Sequence, residues 1–257
     1  MFKNLYNYRE LLKTNVKKEI RGKYKASILG VLWSFINPLL QIVVYAIVFP
    51  YLMRDSVDNY LAYLVTGLIP WTFFLTTVSQ GVTTIKSNGG IIKKVYFPRE
   101  ILPLSVIMSG LVNFFISCVI IIAFCLATGV GVSWHIILVP VIAVVQSLLS
   151  LGLALALSAI NVYIQDMEYI IAFVLNMLFY GTPIIYELSQ FASAGILYTL
   201  VSLNPMTQII NCYRDVFLYH TMPNMMNLFL VFLLSIVVVI IGYAIFKKLE
   251  KGFAEEL

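Results

Sequence analysis

Charge is what this chain has least of. Asp, Glu, Lys and Arg make up 11% of its 257 residues, where a soluble domain carries roughly 25%. With 61% of the residues hydrophobic, there is too little polar surface to face water, and a soluble globular domain is excluded. No G-x-x-x-x-G-K-[ST] loop occurs, so nothing here wraps a nucleotide phosphate and its magnesium in the usual way. Ionisable groups are missing from every long apolar run, which excludes a proton or sodium pump that binds its ion in mid-bilayer. His135 and His220 stand alone, and no Ser/His/Asp set can be assembled around them. Asp166 and Glu168, in the loop between the fourth and fifth windows, could act as a pair, but such a placement more commonly serves solvation than catalysis. Cys118, Cys125 and Cys212 have neither a paired framework nor metal-ligand spacing, so no disulfide and no metal site are expected.

What remains is a set of six charge-free windows, at about 28–53, 60–85, 101–128, 136–160, 169–186 and 226–246. A helix needs about 20 apolar residues to cross a hydrocarbon core roughly 30 Å thick. The fifth window is the shortest, but each is long enough. The fold class expected is therefore an all-α membrane protein with six transmembrane helices. Before them, residues 1–27 repeat Phe2, Leu5, Leu12, Val16 and Ile20 at helical steps, with Lys13, Lys17 and Lys18 on other faces. That pattern predicts an amphipathic helix at the cytoplasmic interface. No short apolar run with a cleavage site precedes the first window, so the first span is expected to stay in the mature protein.

The net charge of +5 does not point to nucleic acid, because the cations cluster at the ends of apolar segments. Of the 17 Lys and Arg, eight precede residue 29, four lie in 86–99 and three follow 246. Six crossings put all of these on the cytoplasmic side, as the positive-inside rule requires. Both termini then face the cytosol, with 251–257 as a cytoplasmic tail. Arg54 and Arg214 are left outside, each beside an acid, Asp55 or Asp215. The same parity makes 187–222, interrupted by Gly195, Asn204-Pro205 and Pro223, an external re-entrant helical pair that dips in without crossing.

Loop 86–100 reads as a short cytoplasmic helix entered at Gly89-Gly90 and ended by Pro98. Ile91, Ile92, Val95 and Tyr96 share one face, which suits either a protein surface or the membrane interface. The spans also carry aromatics mixed with amides: Trp33, Phe35, Asn37, Gln41, Tyr45 and Phe49 in the first, Trp71, Phe73 and Phe74 in the second, Asn176, Phe179, Tyr180 and Tyr186 in the fifth. Such a mixture fits a carbohydrate path, since sugars offer hydroxyls and apolar C–H faces. It equally fits interface belts and helix packing.

Four stretches then carry a resemblance. The run from Arg21 and Tyr24 through Gly30, Trp33 and Ser34 to Asn37-Pro38 resembles the start of the first span of type-2 ABC transporter permeases of the polysaccharide-export group, which move O-antigen, teichoic acid or capsule. Lys94-Val-Tyr-Phe-Pro98-Arg99-Glu100 is similar to that family's loop before the third span. Asn161-Val-Tyr-Ile-Gln165-Asp166 is similar to the loop before the fifth, with Gln165 where the family usually has Arg. Thr182-Pro183-Ile-Ile-Tyr186 and Asn204-Pro205-Met206 resemble its external re-entrant region.

The resemblance implies a bacterial inner-membrane or cell-membrane exporter of a polyprenyl-diphosphate-linked polysaccharide. It implies a homodimer served by two separate ATPase subunits that bind the ATP and magnesium, so that this chain itself needs no cofactor and is not an enzyme. A path lined by the first and fifth spans makes Trp33, Asn37, Gln41, Tyr45, Phe49 and Tyr180 its candidates. Docking of the ATPase falls to Ile91, Ile92, Lys94, Val95, Tyr96 and Phe97, and the external gate to Pro183, Tyr186, Asn204 and Pro205. Arg21, Lys23 and Lys25 are candidates for attracting the lipid diphosphate, or serve only as orientation signals. A membrane-embedded transferase acting on a polyprenyl-linked glycan and an ATP-independent lipid flippase are the alternatives.

Overall fold

The computed structural model describes residues 8–24, 33–52, 59–191 and 195–257, and these contain helices and turns without a strand. An opening helix α1 (Arg9–Tyr24) precedes α2 (Trp33–Leu52) and α3 (Tyr60–Ser87). One turn of helix, α4 (Gly89–Ile92), leads to α5 (Ile101–Ala127), and a 3-10 turn (Trp134–Leu138) leads to α6 (Val139–Tyr163). Then follow α7 (Met167–Tyr180), the short α8 (Ile196–Leu203) and α9 (Pro205–Phe217), the long α10 (Met225–Leu249) and a last turn, α11 (Phe253–Glu256).

Four segments are long and apolar enough to cross a membrane: Tyr60–Ser87, Ile101–Ala127, Trp134–Tyr163 and Met225–Gly252. Their helices coincide with four of the six charge-free windows. α2 contains a shorter apolar stretch, Ile36–Val48. α7 stops at Tyr180, well before the end of its window, and its 14 residues reach about 21 Å at 1.5 Å per residue. The cause is local. Pro183 has no N–H to donate and pushes Thr182 away from helical angles, so the chain turns through Gly181–Tyr186 instead.

The central element is α3, buried along most of its length and packed against α2, α5, α6, α7 and α9. Apolar burial supplies little force between helices in lipid, so close packing and polar cross-links hold such a bundle. Both are present. α6 and α10 form the most extensive helix pair, meeting where Gly152 faces Gly242 with no room for a side chain on either. Gln146 donates to the Pro70 carbonyl (2.7 Å) and accepts from the Tyr213 hydroxyl (3.1 Å), which ties α6 to α3 and α9. Asn161 donates to the Val82 carbonyl (3.2 Å).

The two ends of α3 define the ends of the molecule. At one, Lys18 of α1 donates to Asn88 (2.9 Å), and α11 packs against α4 and α6. Helix α1, loop 88–100 and segment 250–257 thus lie together. At the other, the Tyr63 hydroxyl donates to the Tyr186 carbonyl (2.7 Å). The stripe expected in α1 faces inward: Leu12, Val16 and Ile20 are half-buried against α5. Phe2, Leu5, Lys25, Arg54 and Asp55 lie outside the described residues, and for Lys23 and Phe49 only the helical backbone is described.

Candidate functional site

Three surfaces gather the residues singled out by sequence. The first is the aromatic and amide face of α2 and α7. Tyr45 stacks on Phe179 at 5.9 Å and 24°, and Phe179 touches Trp71 at 5.8 Å and Tyr180 edge-on at 5.3 Å. A chain of rings therefore joins α2 to α7 over α3, and Tyr180 projects from it, 62% exposed. Gln41 is exposed on the same helix as Tyr45. Trp33 and Asn37 sit elsewhere on α2, bordering a cavity of about 370 Å³ whose polar lining includes Thr72, Thr76, Gln80 and Asn113. These four were not singled out by sequence. A signal existed: Thr72, Thr76 and Gln80 recur at four-residue steps, a polar stripe on an otherwise apolar helix.

The second surface lies at the α1 end. Ile91, Val95 and Tyr96 are exposed, Tyr96 by 90%, and Lys94 is exposed beside them. Ile92 and Phe97 are buried, so they do not share that face. Helix α4 is a single turn containing Gly89-Gly90 rather than following it, because α3 continues to Ser87 and consumes the residues before. Ile92 and Phe97 enter an inner core with Ile85, Leu102, Leu155 and Phe246. The loop is thereby seated on α3, α5, α6 and α10. Neighbouring it, Lys13, Lys17 and Arg21 rim an apolar groove of about 400 Å³ formed by Leu12, Val16, Ile20 and Met108. Lys13 pairs with Glu10 at 2.8 Å, and that hydrogen bond holds the Glu10 carboxyl below its ordinary pKa. Arg21 belongs to this groove through helical spacing with Lys13 and Lys17.

The third surface is the opposite end. Asn204 caps α9 by accepting from the Met206 amide (2.9 Å), with Pro205 in the first helical position. Its amide nitrogen also reaches the Gly181 carbonyl (3.2 Å) and the Thr182 hydroxyl (2.9 Å). The turn holding the buried Pro183 and Tyr186 is thus fastened to the start of α9, so all four expected gate residues are neighbours.

Arg214 belongs to the same end, beside Tyr63 and Ile184. It is 2% exposed and forms no ion pair with Asp215 among the described residues. Its guanidinium lies 3.5 Å from the centre of the Tyr63 ring and donates to the Ile184 carbonyl (3.1 Å). Room for it exists because residue 67 is glycine: a Cβ there would stand 2.8 Å from Nη2. The charge count concerns only the side of the membrane on which Arg214 lies; within the protein, an aromatic face and a carbonyl hold the cation.

The three surfaces present rings, amides and cations suited to contact, and at the third the exposed Ser189 hydroxyl donates to the Glu187 carboxylate (2.9 Å). Comparison with known proteins agrees with that character. Residues 10–218 match the family described as ABC-2 type transporter. An O-antigen export system permease protein RfbA of Myxococcus xanthus is 33% identical over 257 residues, covering 100% of this chain and 99% of that protein. A protein of the same name from Klebsiella pneumoniae is 32% identical over 250 residues, 96% of this chain and 95% of its own length. The polysialic acid transport protein KpsM of Escherichia coli is 21% identical over 240 residues, 91% of this chain and 92% of its own.

Proposed function

The chain belongs to the ABC-2 type transporter family, and on that premise we propose that it is the membrane permease of an exporter for polyprenyl-diphosphate-linked polysaccharide. The observation that carries the substrate class is the end-to-end match to permeases named for O-antigen export. ATP is bound and hydrolysed with magnesium in a separate subunit, two copies serving a homodimer of this chain in a bacterial inner or cell membrane.

In this reading α2 and α7 complete six crossings with the four long helices, while α8 and α9 dip in from outside and return. Support comes from the shared position of α1, loop 88–100 and segment 250–257 at one end of α3, which an even number of crossings requires. The cations gathered at that end support a cytosolic position for it.

Ile91, Lys94, Val95 and Tyr96 form the docking face for the ATPase, and the buried Ile92 and Phe97 carry its movement inward. Those two residues seat on α3, α5, α6 and α10, so motion reaches α2 and α7 through α3. The emerging polymer slides over Trp33, Asn37, Gln41, Tyr45, Phe49 and Tyr180 and leaves past Pro183, Tyr186, Asn204 and Pro205. Arg21, with Lys13 and Lys17, holds the lipid's diphosphate over the α1 groove while the chain of isoprenes lies against Met108; Lys23 and Lys25 add to the positive potential there, at about 1 kcal/mol per cation near an anionic surface.

The test is Tyr45→Ala and Tyr180→Ala in cells that rely on this permease for surface polysaccharide. Each is expected to cut export about tenfold, about 1.4 kcal/mol on the transport barrier, with the permease present in the membrane at its normal level. Normal surface polysaccharide in both variants would assign the two rings to packing.

A further inference from the structure

Segment 250–257 has the composition of a solvated tail and the placement of a core element. Phe253 is fully buried. Its ring meets Phe246 edge-on at 5.6 Å, with the Arg99 guanidinium 5.6 Å above it. The Tyr163 hydroxyl donates to the Leu249 carbonyl (2.8 Å), and Arg99 donates to the Glu250 carbonyl. Leu257 is half-buried against Gly89 at the start of the docking loop, where a Cβ on the glycine would find the Leu257 side chain at 3.5 Å.

A charged cluster fixes the other end of the same loop. Glu100 is fully buried, and its one ion pair among the described residues is with Lys247 (3.1 Å), which also binds Glu250 (2.9 Å). A buried carboxylate stripped of its cation is strongly destabilised, so loop 88–100 and the end of α10 are held in one geometry. Residues at both ends of the loop therefore rest on a segment that neither docks the partner nor lines the path.

We propose that segment 250–257 is a clamp that sets the position of the docking loop, converting the ATPase's movement into movement of the helices. Coupling between distant sites needs a packed element that both of them bias, and Phe253 with Leu257 supplies the fixed side against which the loop works. The inference rests on the reading of 91–97 as the ATPase contact. Without the clamp the partner still binds Ile91, Val95 and Tyr96 and still hydrolyses ATP, but the loop yields and the helices stay in place.

The experiment measures ATP hydrolysis and polysaccharide export in the complete transporter, with wild-type permease, with residues 251–257 removed, and with Phe253→Leu and Leu257→Ala. Removal is expected to leave the ATPase bound and its rate within about twofold, while export per ATP falls at least about fivefold. Unchanged export per ATP overturns the clamp, and so does a parallel fall of hydrolysis, export and assembled complex, which marks a purely structural segment. If the shortened chain fails to accumulate, Phe253→Leu and Leu257→Ala decide: a lowered ratio at normal membrane levels is the expected result, and an unchanged one overturns the clamp. Failure of the wild-type permease to bind any ATPase would instead remove the underlying functional reading, an outcome visible before the variants are compared.

Discussion

Gly242→Leu is expected to abolish assembly of the helix bundle. A Cβ at Gly242 would overlap the carbonyl of Gly152, and one at Gly152 would come within 2.6 Å of the Val238–Val239 peptide of α10. The obstacle in both directions is backbone, which cannot rotate aside as a side chain can. Overpacking a core typically costs about 1–3 kcal/mol, and here the whole α6–α10 pair, the most extensive in the structure, must separate to admit four carbons. Small residues permit this approach in membranes because van der Waals contact provides most of the association. Gly22→Ala is the control, since nothing lies within 4 Å of a Cβ at that position, and alanine favours a helix over glycine by about 1 kcal/mol. Size-exclusion chromatography in detergent checks both. A sharp peak for Gly22→Ala and none for Gly242→Leu is expected; a normal peak for the leucine variant would refute the packing.

Arg214→Ala is the second substitution with a large expected effect. A desolvated cation over an aromatic face is worth about 2 kcal/mol, and the Ile184 carbonyl left without its donor costs about 1–3 kcal/mol more. The loss should be about 3–5 kcal/mol and should be felt first in the turn 181–187, which Arg214 and Tyr63 hold from two sides. Arg214→Lys should restore little, because an ammonium lacks the flat surface that lies on Tyr63 and the fork that reaches the carbonyl. Gly67→Ala should imitate the loss by pushing on the guanidinium. Thermal unfolding in detergent together with surface polysaccharide reads the result. An unchanged midpoint for Arg214→Ala would mean that the buried cation contributes nothing to this end of the molecule.

Helices α3, α5, α6 and α10 were legible in the sequence because the absence of charge over more than twenty residues has few other causes. Hydropathy gave the fifth window its length, yet the helix within it is set by backbone chemistry at Gly181 and Pro183, to which an apolar count is blind. Asn204-Pro205 reads as an interruption by hydropathy and as a helix start by capping chemistry, and the latter describes α9. Arg214 and Phe253 were illegible for a common reason. Partners far away in sequence place each of them, Tyr63 and the Ile184 carbonyl for Arg214, Arg99 and Tyr163 for Phe253, and no local periodicity announces such contacts. Loop 88–100 was half legible: its position follows from charge and glycine, but which of Ile91, Ile92, Val95 and Phe97 face outward depends on the core assembled around them.

Purifying this chain with its native associates and reconstituting the complex into liposomes that carry lipid-linked polysaccharide on one leaflet would test the account most directly. The prediction is a copurifying ATPase and movement of the polymer across the bilayer that needs hydrolysable ATP and stops with a non-hydrolysable analogue. Polymer that crosses at the same rate without ATP, or a permease that purifies free of any nucleotide-binding subunit, would contradict it.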